Sequence, residues 1–272
     1  MVSTKVLFIS QEITPYLPES EMSIICRNLP QGIQEKGKEI RTFMPKFGCI
    51  NERRNQLHEV IRLSGMNLII NDSDHPLIIK VASIQSARMQ VYFIDNDDYF
   101  GRKYTLNDSN TQPFPDNDER TIFFNRGVLE TVKKLRWSPD IIHCHGWFTA
   151  LIPLLIKKAY RDDPMFANSK VVYSAYNDSF TPPLNKAFKN KILMDGITKK
   201  DLQIIENPDF LNLTKLAVQF SDGIIIANKD VNPAVEEYVK TTGKMYLPFN
   251  GSDNIIDEYS VFYEKVLSEN NN

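Results

Sequence analysis

Apolar and polar positions along this chain follow two regimes. Val6-Leu7-Phe8-Ile9 is an unbroken apolar run between Lys5 and Ser10, the pattern of a strand buried on both faces. Residues 22–36 repeat apolar positions at helical spacing and end at Gly37, which predicts a helix with a glycine stop. A second strand over 39–44 closes at Pro45-Lys46-Phe47-Gly48. Strand, helix and strand in so short a stretch predict a βαβ unit and hence a parallel sheet. Residues 58–94 break the rule. Strand-like runs over 60–70, 77–84 and 90–94 are separated by turns at Asn71-Asp72-Ser73-Asp74 and Ser86-Ala87-Arg88, with no helical spacer. They predict a β-rich insertion, a mostly antiparallel appendage to the α/β frame.

The α/β alternation resumes after a loop over 95–115. A helix is expected over 118–135, with Asp116 or Asn117 as its N-cap. A strand at 141–143, a helix over 149–160 and a strand at 170–174 follow, then a polar, proline-rich loop over 177–183. The remaining pattern predicts a helix at 211–220, a strand at 223–227, a helix beginning at 233–239 and a last helix over 253–267. Glu269-Asn270-Asn271-Asn272 reads as a frayed tail.

Composition narrows the class of protein. The chain has 272 residues, 42% of them hydrophobic, which is enough for a substantial core. Its formal net charge of −2 is spread along the sequence and points to neither nucleic acid nor a membrane surface as partner. Cys26, Cys49 and Cys144 are odd in number and widely spaced, as expected of reduced thiols in a cytoplasm. The apolar run near Met1 is too short for a signal peptide, and no segment approaches the ~20 residues of a membrane span.

The most informative block is Pro139-Asp140-Ile141-Ile142-His143-Cys144-His145-Gly146-Trp147-Phe148-Thr149-Ala150. It resembles the strand–loop–helix of bacterial glycogen synthases and plant starch synthases, whose pattern runs Pro-Asp-(apolar)-(apolar)-His-x-His-Asp-Trp-His. The resemblance extends from Lys5 to about Asp253. It includes Val91-Tyr92-Phe93-Ile94-Asp95-Asn96 with Tyr99-Phe100 and Arg102, and Pro115-Asp116-Asn117 with Glu119-Arg120 and Phe123-Phe124. Ser221-Asp222-Gly223-Ile224 and Asn250-Gly251 with Asp253 complete it. It implies a single Rossmann-like GT-B half-domain, a parallel sheet flanked by helices. That domain would occupy residues 1–268, with the β-rich insertion at about 58–94 and the tail at 269–272. It would be the acceptor-side half of a two-domain glycosyltransferase, without the nucleotide-binding second domain.

Three departures from the family pattern bear on chemistry. The family's Lys-Thr-Gly-Gly-Leu-(Ala/Gly)-Asp segment falls here on Pro18-Glu19-Ser20-Glu21-Met22-Ser23-Ile24. Lysine and glycine N–H groups that would meet a diphosphate are replaced by a proline and two carboxylates. The family's Asp and last His in the His-x-His block are Gly146 and Phe148, and a later family His is Tyr176 within Ser174-Ala175-Tyr176-Asn177. A phenyl ring can neither donate nor accept a hydrogen bond as a histidine does. The third departure is the missing second domain.

By the resemblance, sugar- or glucan-contacting candidates are Asp116, Asn117, His143, His145, Trp147 and Asn177, with no residue expected to be catalytic and no metal or cofactor expected. Two-residue spacing on a strand points His143 and His145 the same way. They are read as structural histidines, with a metal site as the alternative. Trp147 and Phe148 are read as an aromatic plug, with sugar stacking as the alternative. The acidic run 116–119 suits a helix start, Lys186–Lys191 and Lys199-Lys200 read as solvated surface, and Pro18–Glu21 as a surface turn. The expected function is a glycogen/starch-synthase-like domain, inactive alone, that serves as a glucan-related binding or regulatory protein. The alternative is an acceptor-side subunit that transfers glucose from a sugar nucleotide to an α-1,4-glucan when a second chain supplies the missing domain.

Overall fold

A computed structural model of the chain describes residues 3–269. Asn270 to Asn272 of the expected tail lie outside the described residues, and Glu269 is still tied to the last helix through its N–H to Lys265 O. The order of elements is β1 (Lys5–Ser10), α1 (Glu21–Glu35), β2 (Glu39–Pro45), β3 (His58–Glu59), β4 (Met66–Ile70), β5 (Ser73–Ile84) and β6 (Met89–Asp95). Next come α2 (Asp97–Phe100), α3 (Asn117–Leu135), β7 (Ile141–His145), α4 (Ile152–Lys157), β8 (Lys170–Ala175) and α5 (Phe188–Ile192). The chain continues through α6 (Phe210–Phe220), β9 (Gly223–Ile226), α7 (Pro233–Thr241), β10 (Met245–Leu247) and α8 (Ile255–Ser268).

The strands form one sheet in the order β10-β9-β8-β7-β1-β2-β6-β5-β3, with β4 paired to β5. From β10 to β6 every pairing is parallel. From β1 the chain first builds toward β2 and β6, then crosses to β7 and builds the other way. The gap between the carboxyl ends of β1 and β7 is therefore a topological switch point, where side chains and loops of an open α/β sheet converge.

Residues 58–94 are β-rich and mostly antiparallel, as expected, but they continue the main sheet and are not appended to it. β6 is a parallel strand of the main sheet, in register with β2 from Thr42↔Val91 to Pro45↔Ile94, and β5 and β3 extend the same sheet antiparallel from it. The burial of Val91 to Asp95 on both faces is that of a central strand. The expected strand over 60–70 is also shorter, because 61–63 form a turn with Ile61 facing solvent. Asn71 and Asp72, with φ of 48° and 61°, make the tight β4–β5 hairpin, the turn that best matches strand twist. The helix expected over 149–160 is reduced to a 3₁₀ turn at Trp147–Thr149 and then α4. The loop over 95–115 contains α2.

Local chemistry explains the helix starts. α1 is capped by a reciprocal pair: Ser20 Oγ accepts from Ser23 N–H at 3.0 Å, and Ser20 N–H donates to Ser23 Oγ at 2.8 Å. This cap is worth about 1 kcal/mol, and it makes Pro18–Glu21 a helix entry, not a free turn. α3 lies close on the sheet because Gly127 has no side chain; a Cβ there would stand 3.0 Å from both Ile94 Cγ2 and Leu77 Cδ1. Among the described residues no helix is long and apolar enough to cross a membrane.

Lys191, expected in a solvated basic cluster, is instead half-buried, with its side chain largely covered, and clamps α5 to α3. Its Nζ sits 2.7 Å from both Asp118 Oδ2 and Glu119 Oε1. Asp118 is wholly inaccessible, so removing its cation leaves a buried charge uncompensated. Lys191→Met is expected to destabilise the fold by about 3 kcal/mol in urea unfolding, and adding Asp118→Asn to recover more than half of that loss.

Candidate functional site

The turn that follows β7 sets the geometry of the switch point. Gly146 has φ +77°, and a Cβ on it would lie 2.5 Å from Asp178 Oδ2 and 2.6 Å from Met22 Cε. Glycine is required here for both conformation and space. With the turn so placed, Trp147 N–H donates to Asp178 Oδ2 at 2.8 Å, and Phe148 N–H donates to Gln11 Oε1 at 3.4 Å. Backbone donors that could greet a ligand anion are thus spent on the protein's own side chains. The same holds at the start of α1, where the N–H groups of Ser20 and Ser23 are spent on each other's hydroxyls; beside them Glu12 Oε2 accepts from Ser20 Oγ at 2.6 Å and Glu21 accepts from Asn228 Nδ2 at 2.9 Å.

Beside this turn lies a cavity of about 490 Å³, open to solvent and built from the loops after β1, β7 and β8 and the loop before α3. Phe114 and Phe180 supply aromatic surface, with the buried Trp147 behind them; Gln11, Asn107, Asn117 and Asn185 supply amides; Glu12 and Asp178 supply carboxylates. No lysine or arginine is among the lining residues. Trp147 packs on Phe180 with ring centroids 4.5 Å apart. Burial pushes the Asp178 carboxyl up to about 7; the hydrogen bond from Trp147 N–H works against that rise and the Glu12 charge adds to it. Such a lining can stack apolar ring faces and accept hydroxyl protons.

The far wall is held by Arg120, which is fully buried. Its Nε donates to Tyr99 O at 2.7 Å, Nη1 to Asn117 Oδ1 at 2.6 Å and Nη2 to Thr105 O at 2.7 Å. Phe47, Phe100 and Phe114 surround the guanidinium at 5.3–5.6 Å. Burial without a bonded carboxylate lowers its pKa to about 9.

Of the residues singled out from sequence, Trp147 and Asn117 line this cavity. The Asn117 amide is already committed to Leu106 O and Arg120. Asp116 lies outside the lining, locked in a two-pronged ion pair with Arg102. Asn177 is exposed and gives its N–H to Asn228 Oδ1 at 3.1 Å. Phe148 is fully buried against Phe47 and Phe124, the aromatic plug. Ile24 is exposed on α1, and Pro18 and Glu19 are exposed ahead of its cap. Sequence reasoning missed Gln11, Glu12, Asp178 and Phe180. Their signal was position: each lies within five residues of the carboxyl end of a parallel strand.

His143 and His145 do share a face, with ring centroids 3.9 Å apart, but that face is inside the protein. His143 bonds Tyr263 OH at 2.6 Å and Ser174 Oγ at 2.7 Å; His145 bonds Tyr176 OH at 2.9 Å, and its Nε2 has no partner. Neither lines the cavity. Tyr176, at a family histidine position, serves this buried network. Among the described residues no three His, Cys, Asp or Glu side chains gather as metal ligands. Burial lowers both histidines, His145 to about 3. The unfolded chain then takes up a proton below its ordinary pKa of 6.5 that the folded chain refuses, so stability is full above pH 6.5 and declines as pH falls. Asp178, raised, acts in the opposite sense but is common to wild type and variant. His145→Gln is expected to flatten the stability–pH slope between about pH 6 and pH 4 by about 1.4 kcal/mol per unit, read from denaturant midpoints.

A family model described as the starch synthase catalytic domain matches residues 5–233. A glycogen synthase of Chlorobium limicola is 41% identical over 174 residues, 64% of this chain and 36% of that protein. One from Chlorobium phaeovibrioides is 36% identical over 219 residues, 80% of this chain and 44% of that protein. The chain thus spans less than half the length of these relatives. Among solved structures, the catalytic domain of starch synthase IV from Arabidopsis thaliana, bound to ADP and acarbose, superposes with a TM-score of 0.75 at 17% identity, covering 91% of this chain and 51% of that one. The chain therefore belongs to the starch synthase catalytic domain family and forms a glycogen/starch-synthase-like glycosyltransferase domain.

Proposed function

We propose that this domain binds an α-glucan in the switch-point cavity and does not by itself transfer glucose. The observation that carries this function is the lining of the cavity: aromatic faces, amides and two carboxylates, with no cationic side chain. A neutral oligosaccharide stacks its C–H faces on Phe180 and Phe114 and donates hydroxyl protons to Glu12 and Asp178. A sugar nucleotide brings a diphosphate, for which the site holds carboxylates in place of a lysine. At a surface-like dielectric, one like-charge contact near 4 Å costs about 4 kcal/mol before screening. The N–H groups of Trp147, Phe148 and Ser23 are internally satisfied and offer it nothing in return.

Support also comes from the degenerate positions. Gly146 and Phe148 stand where the family pattern has Asp and His, and Phe148 is sealed in the core. The role that follows is recruitment or regulation on glucan, with chemistry left to other proteins.

Calorimetric titration tests this directly. Maltoheptaose is expected to bind with a Kd of about 1 mM or tighter, and Phe180→Ala to weaken it about tenfold by removing a stacking face. ADP-glucose is expected to show no heat and no transfer of glucose to glycogen. ADP-glucose binding tighter than maltoheptaose would overturn the proposal and favour the acceptor-side subunit that needs a second chain.

A further inference from the structure

A cavity of about 390 Å³ lies at the amino ends of β2 and β6, the end of the sheet opposite the switch point, and shares no lining residue with the first. The last turn of α1 gives it Gln34, β2 gives Arg41, β5 and the turn after it give Ser83, Gln85 and Arg88, and β6 gives Gln90. No carboxylate is among the lining residues. The side chains of Gln34, Ser83, Gln85, Arg88 and Gln90 are exposed and, among the described residues, bond to no other protein group. Arg88 thus presents its whole guanidinium, five N–H donors in a planar fork. Arg41 is half-buried and turned inward. Its Nη1 donates to Ile40 O at 3.0 Å, its Nε is covered, and its Nη2 stands 3.6 Å from Glu39 Oε1, which already accepts from Trp137 Nε1 at 2.6 Å. It adds charge to the wall but no fork. Arg27 reaches the same turn, donating to Ser86 Oγ at 3.0 Å and to Asn28 Oδ1 at 2.8 Å, with no carboxylate partner among the described residues. Three arginines distant in sequence therefore gather on one face of a chain whose net charge is −2.

We propose that this cavity binds a phosphate monoester with a small hydroxylated body. Two phosphate oxygens match the open Arg88 fork, and the charges of Arg41 and Arg27 favour the same anion. The three glutamine amides and the Ser83 hydroxyl both donate and accept, which suits the hydroxyls of the ligand's body. The apolar side chains of the lining, Ile40, Ile84 and Met89, are buried, so a hydrocarbon chain finds no surface to cover and a lipid phosphate gains nothing from its tail. The carboxyl end of α1 lies on the same wall and disfavours an anion, which the arginines have to outweigh. The cavity volume falls within the range of small-molecule sites.

Calorimetry and phosphorus NMR with glycerol phosphate at low salt test the site on the full chain. Glycerol phosphate is expected to bind with a Kd of about 1 mM or tighter. Inorganic phosphate, which lacks the body, is expected to bind about threefold more weakly, and glycerol, which lacks the charge, at least about tenfold more weakly. Octyl phosphate is expected to bind no more tightly than inorganic phosphate. Arg88→Gln is expected to lose at least about tenfold in glycerol phosphate affinity at unchanged circular dichroism, and Arg88→Lys, which keeps the charge without the fork, to fall between it and wild type. Inorganic phosphate or octyl phosphate binding as tightly as glycerol phosphate, Arg88→Gln binding unchanged, or no binding of glycerol phosphate by wild type at about 10 mM would each overturn the assignment.

Discussion

At the end of β7 the backbone of Gly146 turns through φ +77°, and the space a side chain would need there is filled by the Asp178 carboxylate and the Met22 methyl. This one contact orders the centre of the molecule. It ties the loop after β8 to the turn after β7 through Trp147 N–H, presses α1 against both through Met22, and fixes a carboxylate at the switch point. A larger residue at 146 and the present position of Asp178 are mutually exclusive, since two atoms cannot share that volume.

Arg120 does for the opposite wall what Asp178 does for the turn. Its three donor nitrogens go to two backbone carbonyls and the Asn117 amide, gathering the irregular segment 99–117 that would otherwise hang from the sheet edge. Aromatic rings take the place of a counter-ion. With both walls fixed internally, the cavity is pre-formed, and the ordering cost of binding falls mainly on the ligand.

Family membership and site chemistry are separate matters in this molecule. The fold persists at 17% identity to the starch synthase IV catalytic domain, because a parallel sheet needs only apolar runs and helical spacers of suitable length. The groups that would meet a nucleotide depend on single residues. Ser20 and Ser23 close α1 on themselves, and Glu12 and Glu21 add negative charge beside it. Fold and chemistry therefore diverge at the ends of strands, where loops are free to change.

Apolar runs such as Val6–Ile9 and the block from Pro139 to Ala150 were enough, from sequence, for the parallel α/β frame, most helix and strand positions and the family. β6 was misplaced because its pairing partner, β2, is distant in sequence, and no local pattern tells a hairpin strand from one that joins the main sheet. The alternation of His143 and His145 placed them on one face, but in a parallel sheet both faces are buried, so periodicity could not say that α8 covers that face with Tyr263, 120 positions away. Asp178 and Glu12 look like ordinary loop carboxylates in sequence; only the convergence of β1, β7 and β8 brings them to one cavity. Sequence determined which segments are buried and in what order they run, since burial is local and periodic. Which side chains meet at the switch point was decided by the tertiary structure, because those contacts join loops that only the closed sheet brings together.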